Sequence, residues 1–309
     1  MPGPGVGFEY RPQEVSWYKR DALLFANSIG VTADELHFLY ELHPKFAVFP
    51  TYPIVLSFKG TNKDVIDFYA ASKADKIPGV PEFDYTRVVD GQRRMEFFKQ
   101  LPTSSDGRKF EARTKVLGVY DKGRPGTVLE VQTDLVDAAS GDVYTRVTSS
   151  SFFVGQGGWH GPKGPATKSF PPPKDTQPDA VLEHQTTRES ALLYRLNGDY
   201  NPLHATPEPG MKMGFGGAIL HGLYSWNSTC HHLLREFGGS DPANMKEYQA
   251  RFASPVKPGD KLVTRAWRTG ERHGDYEELR FTTEVAGGKV CLSNGRVLIK
   301  IASGASSKL

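Results

Sequence analysis

The stretch that decides the fold runs from Ile219 to Phe237 and reads ILHGLYSWNSTCHHLLREF. Its apolar residues recur at steps of three and four, the spacing at which side chains share one face of an α-helix. Trp226 and Leu233 add apolar bulk outside that stripe. A helix that is apolar over most of its surface has to be enclosed. We therefore predict a buried helix, and the economical enclosure is a curved β-sheet packed around it.

Segments with the composition of β-strands follow this helix along the chain. They read DKLVTRAWRT, YEELRFTTEV and GRVLIKIA, and their period-two alternation predicts antiparallel strands with one buried face. A similar order occurs earlier, where a helical pattern from Tyr18 to Glu41, broken near Gly30, precedes KFEARTKVLGVY, GTVLEVQTDLVD and DVYTRVTSSSFFV. We therefore predict an α+β fold in two similar halves, with an antiparallel sheet packed on a helix in each.

A segment of different composition separates the two halves. From Gly155 to Asp179 the chain reads GQGGWHGPKGPATKSFPPPKDTQPD, which is dense in Gly, Pro and Lys and has no apolar periodicity. This composition is typical of an extended linker. We assign residues 1–156 to an N-terminal domain, residues 157–179 to the linker and residues 180–309 to a C-terminal domain.

The overall composition limits the kinds of partner. The chain has 309 residues, 38% of them hydrophobic and 24% charged, as in ordinary globular proteins. The formal charge of +3 gives no reason to expect a nucleic-acid partner, and no apolar run is long enough to span a membrane. The two cysteines, Cys230 and Cys291, are too few for a disulfide framework, and Cys230 has the apolar neighbours of a core thiol.

The last three residues carry a targeting signal. Ser307-Lys308-Leu309 is the tripeptide that the peroxisomal import receptor reads at a free C-terminus, and the small residues Gly304-Ala305-Ser306 before it suit presentation to a receptor. We therefore expect the import receptor as a partner and the peroxisome as the location. The alternative is a tail without a targeting role.

A short polar loop precedes the buried helix. Asn197 to His204 reads NGDYNPLH and places Asp199, Asn201 and His204 close together, while Pro202 restricts the backbone between them. A carboxylate and an imidazole aimed at one water molecule could move its protons in and out. The alternative is a simple turn in which His204 caps the next segment, and the residues of this loop alone favour that interpretation.

The start of the buried helix offers a second chemical group. His221-Gly222 follows His204 by seventeen and eighteen residues. A glycine there lets a substrate approach the backbone, and its amide N–H could hold the oxygen of a polarised carbonyl as an oxyanion hole. A loop for proton transfer and a helix N-terminus for an enolate would make a complete site for chemistry beside a thioester.

The chain resembles a known family over nearly its whole length. The segments YRLNGDYNPLH, GFGGAILHGL and QARFASPVKPGDKL, with RVVDGQRRMEFFKQLP, VYDKGRPGTV and SSSFFVGQGGW in the first half, are similar to the type 2, R-specific or MaoC-like enoyl-CoA hydratases, which also occur as a domain of peroxisomal multifunctional enzymes. The resemblance implies a double hot dog fold, with two antiparallel sheets each wrapped around a central helix. It also implies addition of water to trans-2-enoyl-CoA to give (3R)-3-hydroxyacyl-CoA, without a metal or redox cofactor, since CoA is part of the substrate.

The resemblance implies roles for the residues of the C-terminal half. Asp199 and His204 would form the acid/base pair around the water, Asn201 would orient groups within the loop, and the Gly222 amide would bind the thioester oxygen. Phe252 would contact the substrate. The first half has no counterpart of NGDYNPLH.

Two further positions in the first half match substrate contacts of the family, and a third departs from the family's pattern. Gly91 and Lys122 match positions that contact the acyl-CoA, although Lys122 is equally well explained as a solvated turn lysine. Family members of the multifunctional type carry His-Gly where this chain has Asp90-Gly91. The acid at Asp90 suggests a different acyl preference.

Other functions fit the residues less well. His221, His231 and His232 have poor spacing for metal ligands, no G-x-S-x-G motif marks a serine hydrolase, and the basic residues around Arg93-Arg94 and from Lys109 to Lys115 are most simply solvated. Two alternatives stay open: a dehydratase that uses the same site in biosynthesis, and a module that binds acyl-CoA without catalysis. The oligomeric state is also open, with a homodimer as one option.

Overall fold

The computed structural model describes residues 3–68 and 75–303. The strands in this part of the chain are β1 (Gln13–Val15), β2 (Val88–Phe97), β3 (Phe110–Asp121), β4 (Gly126–Asp137), β5 (Val143–Val154), β6 (Ala180–Gln185), β7 (Met245–Phe252), β8 (Lys261–His273), β9 (Tyr276–Val285) and β10 (Val290–Ile299). The α-helices are Lys19–Ser28, Leu36–Leu39, Leu56–Lys59, Ser190–Tyr194, Pro207–Lys212 and Gly222–Gly238. The short 3-10 helices are Ala33–Glu35, Tyr52–Val55, Tyr85–Arg87, Arg195–Asn197, Pro202–His204 and Pro242–Asn244.

The ten strands form one continuous antiparallel sheet. Their order is β1-β3-β4-β5-β2-β7-β10-β9-β8-β6, so the strands of the first half occupy one side and those of the second half the other. The two predicted sheets are joined edge to edge, because β2 pairs with β7, with Arg93 opposite Ala250 and Met95 opposite Tyr248. The predicted α+β, double hot dog architecture is confirmed in this joined form.

The helix Gly222–Gly238, which we call the central helix, lies inside the curve of the second half. It packs on β6, β7 and β10, and nearly all of its residues are buried, including Trp226, Cys230 and Leu233. The strand residues that face it are also buried, as the alternation along β8 and β9 predicts. The prediction of an enclosed helix is therefore confirmed, although the helix begins at Gly222 rather than Ile219.

The first half encloses shorter helical segments. The predicted helical stretch from Tyr18 to Glu41 contains the helix Lys19–Ser28, the 3-10 turn Ala33–Glu35 and the helix Leu36–Leu39. Large aromatic side chains fill the space inside this half of the sheet, where the ring centroids of Trp17 and Phe110 lie 4.7 Å apart. Both residues belong to one hydrophobic core that runs through the two halves.

The linker lies on the outer, convex face of the sheet. No helix or strand occurs between residues 155 and 179, all of which the structure describes. The ring of Phe170 is nonetheless buried, with the guanidinium groups of Arg280 and Arg296 at 4.6 Å and 5.1 Å from its centroid. Phe170 thus fixes the segment onto the sheet at the joint between the halves.

None of the helices in the described residues combines the length and the apolar character that crossing a lipid bilayer requires. Ser307-Lys308-Leu309, the predicted targeting tripeptide, lies outside the described residues.

Candidate active site

The loop Asn197–His204 is held by its own hydrogen bonds and by the first half of the chain. The Asn201 side chain accepts a hydrogen bond from the Leu203 amide at 3.0 Å, and a carboxylate oxygen of Asp199 accepts one from the Asn201 amide at 3.3 Å. Gly198 has a φ of 123° and packs so closely on Lys59 that a Cβ atom would lie 2.7 Å from the Lys59 amide nitrogen. Only glycine meets both conditions, so Gly198 fixes the loop at the boundary between the halves.

His204 points into the protein rather than capping a turn. Its Nδ1 donates a hydrogen bond to the carbonyl oxygen of Ile219 at 2.9 Å, fifteen residues along the chain. This bond places the proton of the neutral imidazole on Nδ1 and leaves the lone pair on Nε2. The simple-turn interpretation of the loop is therefore wrong for His204, whose free nitrogen is available as a base.

His221 is the residue before the central helix, and it supports both members of the predicted pair. Its ring stacks on that of His204 with centroids 3.7 Å apart, and its Nε2 donates a hydrogen bond to the Asp199 carbonyl oxygen at 3.1 Å. Its Nδ1 is buried and has no partner among the described residues. The sequence indicated His221 as the neighbour of Gly222 and as a poorly spaced metal ligand, but not as a support for Asp199 and His204, because neither contact has a signature in residue spacing.

Asp199, His204 and His221 form one polar cluster, in which Asp199 is half-buried and the two histidines are buried. One side-chain oxygen or nitrogen from each lies within 4.8 Å of those of the other two. Burial raises the pKa of Asp199 above its ordinary value, against the opposing effect of His204, and burial lowers the pKa of His204, against the opposing effect of Asp199. The two pKa values are thus moved toward each other, as proton exchange between the groups requires.

The central helix opens to solvent only at its first residue in this region. Gly222 is exposed, whereas every residue from Leu223 to His231 is buried. The first-turn amides have no acceptor within the helix and carry the positive end of its dipole. The Phe252 ring covers one side of this opening, since a Cβ atom on Gly222 would lie 3.0 Å from it. The predicted oxyanion donor and the predicted aromatic contact are therefore adjacent.

Asp90 belongs to the same region, whereas Gly91 and Lys122 face a cavity on the convex side. Asp90 acts electrostatically on both Asp199 and His204, raising the pKa of each. Gly91 sits at a bulge of β2 and lines a cavity of about 550 Å³, together with Lys122. Lys122 is exposed, and its ammonium group donates to the carbonyl oxygen of Lys163 at 2.5 Å.

The two histidines within the central helix, His231 and His232, each bond to a protein group. His231 bonds to Glu35 at 2.6 Å, and His232 donates to the Ser228 carbonyl at 2.7 Å. Within the described residues, the metal-type cluster at this site is Asp199, His204 and His221. Its two imidazoles are stacked 29° from parallel, and one nitrogen of each ring already bonds to a backbone carbonyl oxygen.

Two family models together cover most of the chain. One, described as MaoC like domain, matches residues 169–288, and the other, described as MFE-2 hydratase 2 N-terminal domain, matches residues 15–155. The chain is 52% identical over 313 residues to Probable dehydratase NIT22 of Ajellomyces capsulatus, which is 97% of this chain and 83% of that protein. It is 31% identical over 264 residues to Probable enoyl-CoA hydratase 2 of Dictyostelium discoideum, which is 85% of each chain.

A solved structure matches the fold over nearly its full length. The crystal structure of a MaoC-like dehydratase from Phytophthora capsici superposes with a TM-score of 0.82 and 33% identity, covering 97% of both chains. Fold and comparisons together define a hydro-lyase. The chain belongs to the MaoC-like family, in the group that pairs this domain with the N-terminal domain of hydratase 2 and whose members are named enoyl-CoA hydratases and dehydratases.

Proposed function

We propose that the protein catalyses the reversible hydration of trans-2-enoyl-CoA to (3R)-3-hydroxyacyl-CoA. The observation that carries the proposal is the pair formed by the half-buried Asp199 and the buried His204, whose polar atoms lie within 4.8 Å of each other. Gly222, the exposed first residue of the central helix, follows His204 by eighteen residues. A binding module would need neither a proton-transfer pair nor an open helix N-terminus.

In the proposed reaction the pair holds one water molecule against C3 of the substrate. The water loses one proton as its oxygen adds to C3, and C2 gains one proton, so Asp199 and His204 together accept one and deliver one. His204 acts through Nε2, because Nδ1 is committed to Ile219. Asn201 stabilises the loop conformation because its side chain accepts a hydrogen bond from the Leu203 amide.

The negative charge of the enolate is the largest demand of this reaction. It develops on the thioester oxygen while the bond at C2 forms or breaks. The Gly222 amide lies in the first turn of a seventeen-residue helix, where the N–H is unpaired within the helix and the helix dipole is positive. Donors of this kind, fixed before the reaction, stabilise such charge strongly. We assign this role to Gly222, with Phe252 shielding the site from water.

The convex cavity supports a proposal for the CoA end of the substrate. It is lined by Gly91 and Lys122, and Lys168 and Arg251 add positive charge. Basic side chains of this kind suit the phosphates of CoA. We propose that the nucleotide end lies here, and that catalysis needs no metal or redox cofactor, because the residues present supply both proton transfer and enolate stabilisation.

The dehydratase direction belongs to the same proposal. An enzyme accelerates a reversible reaction both ways, so one site serves hydration in degradation and dehydration in biosynthesis. Peroxisomal location is proposed on Ser307-Lys308-Leu309. A fluorescent fusion that keeps this C-terminus free should enter peroxisomes, and deletion of the tripeptide should leave it outside them; import that survives deletion would contradict the assignment.

The test of the activity is a series of trans-2-enoyl-CoAs of increasing chain length offered to the purified protein. Hydration removes the conjugated enoyl absorbance, and chiral analysis identifies the product. We expect turnover and an R product. An S product would overturn the stereochemical assignment, and no turnover with any member of the series would overturn the catalytic one.

A further inference from the structure

The inner face of β2 and β5 changes from apolar to polar close to the catalytic pair. Residues that face each other across strands share one side of the sheet. Met95 lies opposite Val147, and both are buried in the hydrophobic core. Two residues along each strand, Arg93 lies opposite Ser149 on the same inner face. The inner face is therefore apolar at Met95 and polar from Arg93 onward.

Asp90 extends this polar strip. Beyond the bulge at Gly91, Asp90 lies opposite Ser151. Its carboxylate accepts a hydrogen bond from the Arg93 guanidinium at 2.6 Å, while only 16% of the Arg93 side chain is exposed. The expectation that Arg93 is a solvated surface residue is therefore wrong. The strip contains an ion pair between the largely buried Arg93 side chain and the exposed Asp90 carboxylate, with Ser149 and Ser151 opposite on β5.

The ion pair has unused hydrogen-bonding capacity. The Arg93 Nε is buried and has no partner among the described residues. The Asp90 side chain is 39% exposed and so open to a ligand. An arginine nitrogen left without an acceptor in a buried position costs free energy, which a ligand oxygen would recover.

The strip lies beside the reacting centre. On β7, the strand paired to β2, Ala250 lies opposite Arg93, and Phe252 follows on the same face and covers Gly222. Asp90 also lies close enough to Asp199 and His204 to raise the pKa of both. A thioester bound at Gly222 would therefore extend past the ion pair.

We propose that Asp90 and Arg93 determine acyl specificity, and that the enzyme prefers an enoyl-CoA whose acyl group carries a hydroxyl group over one with a plain alkyl chain. This inference rests on the proposed hydratase function. A hydroxyl group can donate to the Asp90 carboxylate and accept from Arg93, so it matches both members of the pair. A terminal carboxylate would be repelled by Asp90. An alkyl chain would remove solvent from the Asp90 carboxylate without offering a hydrogen bond in return.

The first test needs no variant. Pairs of trans-2-enoyl-CoAs from about six to twelve carbons, each with and without a terminal hydroxyl group, are compared by kcat/KM. We expect the hydroxylated member to be preferred about tenfold at the length that reaches the pair, the effect of one hydrogen bond to a charged group. If every pair is hydrated equally well, or the alkyl member is preferred, the inference is wrong although the hydratase function stands. If no member is hydrated, the hydratase function itself has failed.

The second test removes the ion pair. In the double variant Asp90→Leu/Arg93→Met the ratio of kcat/KM between the two members should fall to about one. The matched control is Lys99→Met/Asp142→Leu, which removes a 2.7 Å ion pair just beyond the far end of β2 and should keep the ratio. If kcat/KM falls by the same factor for both substrates, the ion pair contacts the CoA portion that they share. If kcat/KM changes for neither substrate, the ion pair does not contact the hydroxyl group. Either result overturns the proposal.

Discussion

Two pairs of a carboxylate and an imidazole among the described residues, Glu35 with His231 and Asp199 with His204, differ in their contacts. Glu35 and His231 tie the first half to the central helix by a direct bond of 2.6 Å, and the Ser240 hydroxyl donates to the other Glu35 oxygen at 2.6 Å. Burial would raise the pKa of Glu35, but the hydrogen bonds from His231 and Ser240 hold it below its ordinary value.

Asp199 and His204 differ from that pair in almost every respect. Their polar atoms lie within 4.8 Å, but no direct bond between the two side chains occurs in the described structure. Burial raises the pKa of Asp199, and the neighbouring Gly222 is exposed. The comparison shows that a buried acid and histidine become candidates for catalysis when their hydrogen-bonding capacity is left open toward solvent, and become structural when it is consumed.

The largest expected effect is on catalysis. Asp199→Asn and His204→Gln should each lower kcat by about 10³-fold, the scale of a lost general acid or base, while the melting temperature stays near that of the wild type. Enoyl-CoA absorbance measures the first quantity and thermal unfolding the second. Either variant retaining most of its activity would refute the assignment of the pair.

The pair of Glu35 and His231 should affect stability and leave catalysis unchanged. Glu35→Gln should lower the free energy of unfolding by about 3 kcal/mol, because it leaves a buried bond between the halves incomplete, and should leave the activity per folded molecule unchanged. Urea denaturation followed by fluorescence measures the stability. Glu41→Gln, at an exposed position two residues before His43, is the matched control and should have little effect.

The stability of the wild type should also depend on pH through Glu35. Because the pKa of Glu35 is lowered on folding from about 4.5, its contribution is complete above that pH and is lost as the pH falls through the folded value. The difference in stability between wild type and Glu35→Gln should therefore shrink on acidification. A difference that grows below pH 4.5 would contradict this sign.

A smaller effect is expected at His221. His221→Phe keeps a ring that can stack on His204 but removes the donor to the Asp199 carbonyl, so kcat should fall about tenfold through loss of one aligning hydrogen bond, with KM little changed. Steady-state kinetics separates the two parameters. A change confined to KM would show that His221 contacts the substrate instead of positioning the pair.

The smallest effect is expected in the pH profile of kcat/KM. Its acidic limb, where Asp199 becomes protonated, should shift along the pH axis. Asp90 raises the pKa of Asp199 and Arg195 lowers it. Asp90→Asn should therefore move the limb to lower pH, and Arg195→Met should move it to higher pH. Displacements in the same direction would mean that the limb does not report Asp199.

The sequence predicted the outer strands better than those at the joint. GTVLEVQTDLVD and YEELRFTTEV coincide with β4 and β9, since one face of each is apolar. No strand was predicted over β2 or β7, because their charged residues pair across the joint, as Arg94 does with Glu247 at 2.7 Å, and this hides the alternation. The start of β10 was missed because Asn294 has a φ of 52° and interrupts the ladder.

The candidate site was predictable where a local motif carries it and unpredictable where it depends on folding. Asp199, His204 and Gly222 could be proposed from two short segments and a family resemblance. The central helix starts late because the Leu220 amide bonds to the Val256 carbonyl in an extended conformation, a contact thirty-six residues away along the chain. The burial of Arg93 depends in the same way on the pairing of β2 with β7, which no local pattern reveals.

The edge-to-edge joint has a consequence for the separate halves. If the chain were cut in the linker and the pieces separated, β2 and β7 would each present a row of unpaired amides and carbonyls, an edge of the kind that promotes aggregation. In the intact protein, each half covers the exposed strand edge of the other. Two fragments made together in one cell should therefore find each other and restore the sheet, whereas either fragment made alone should be insoluble.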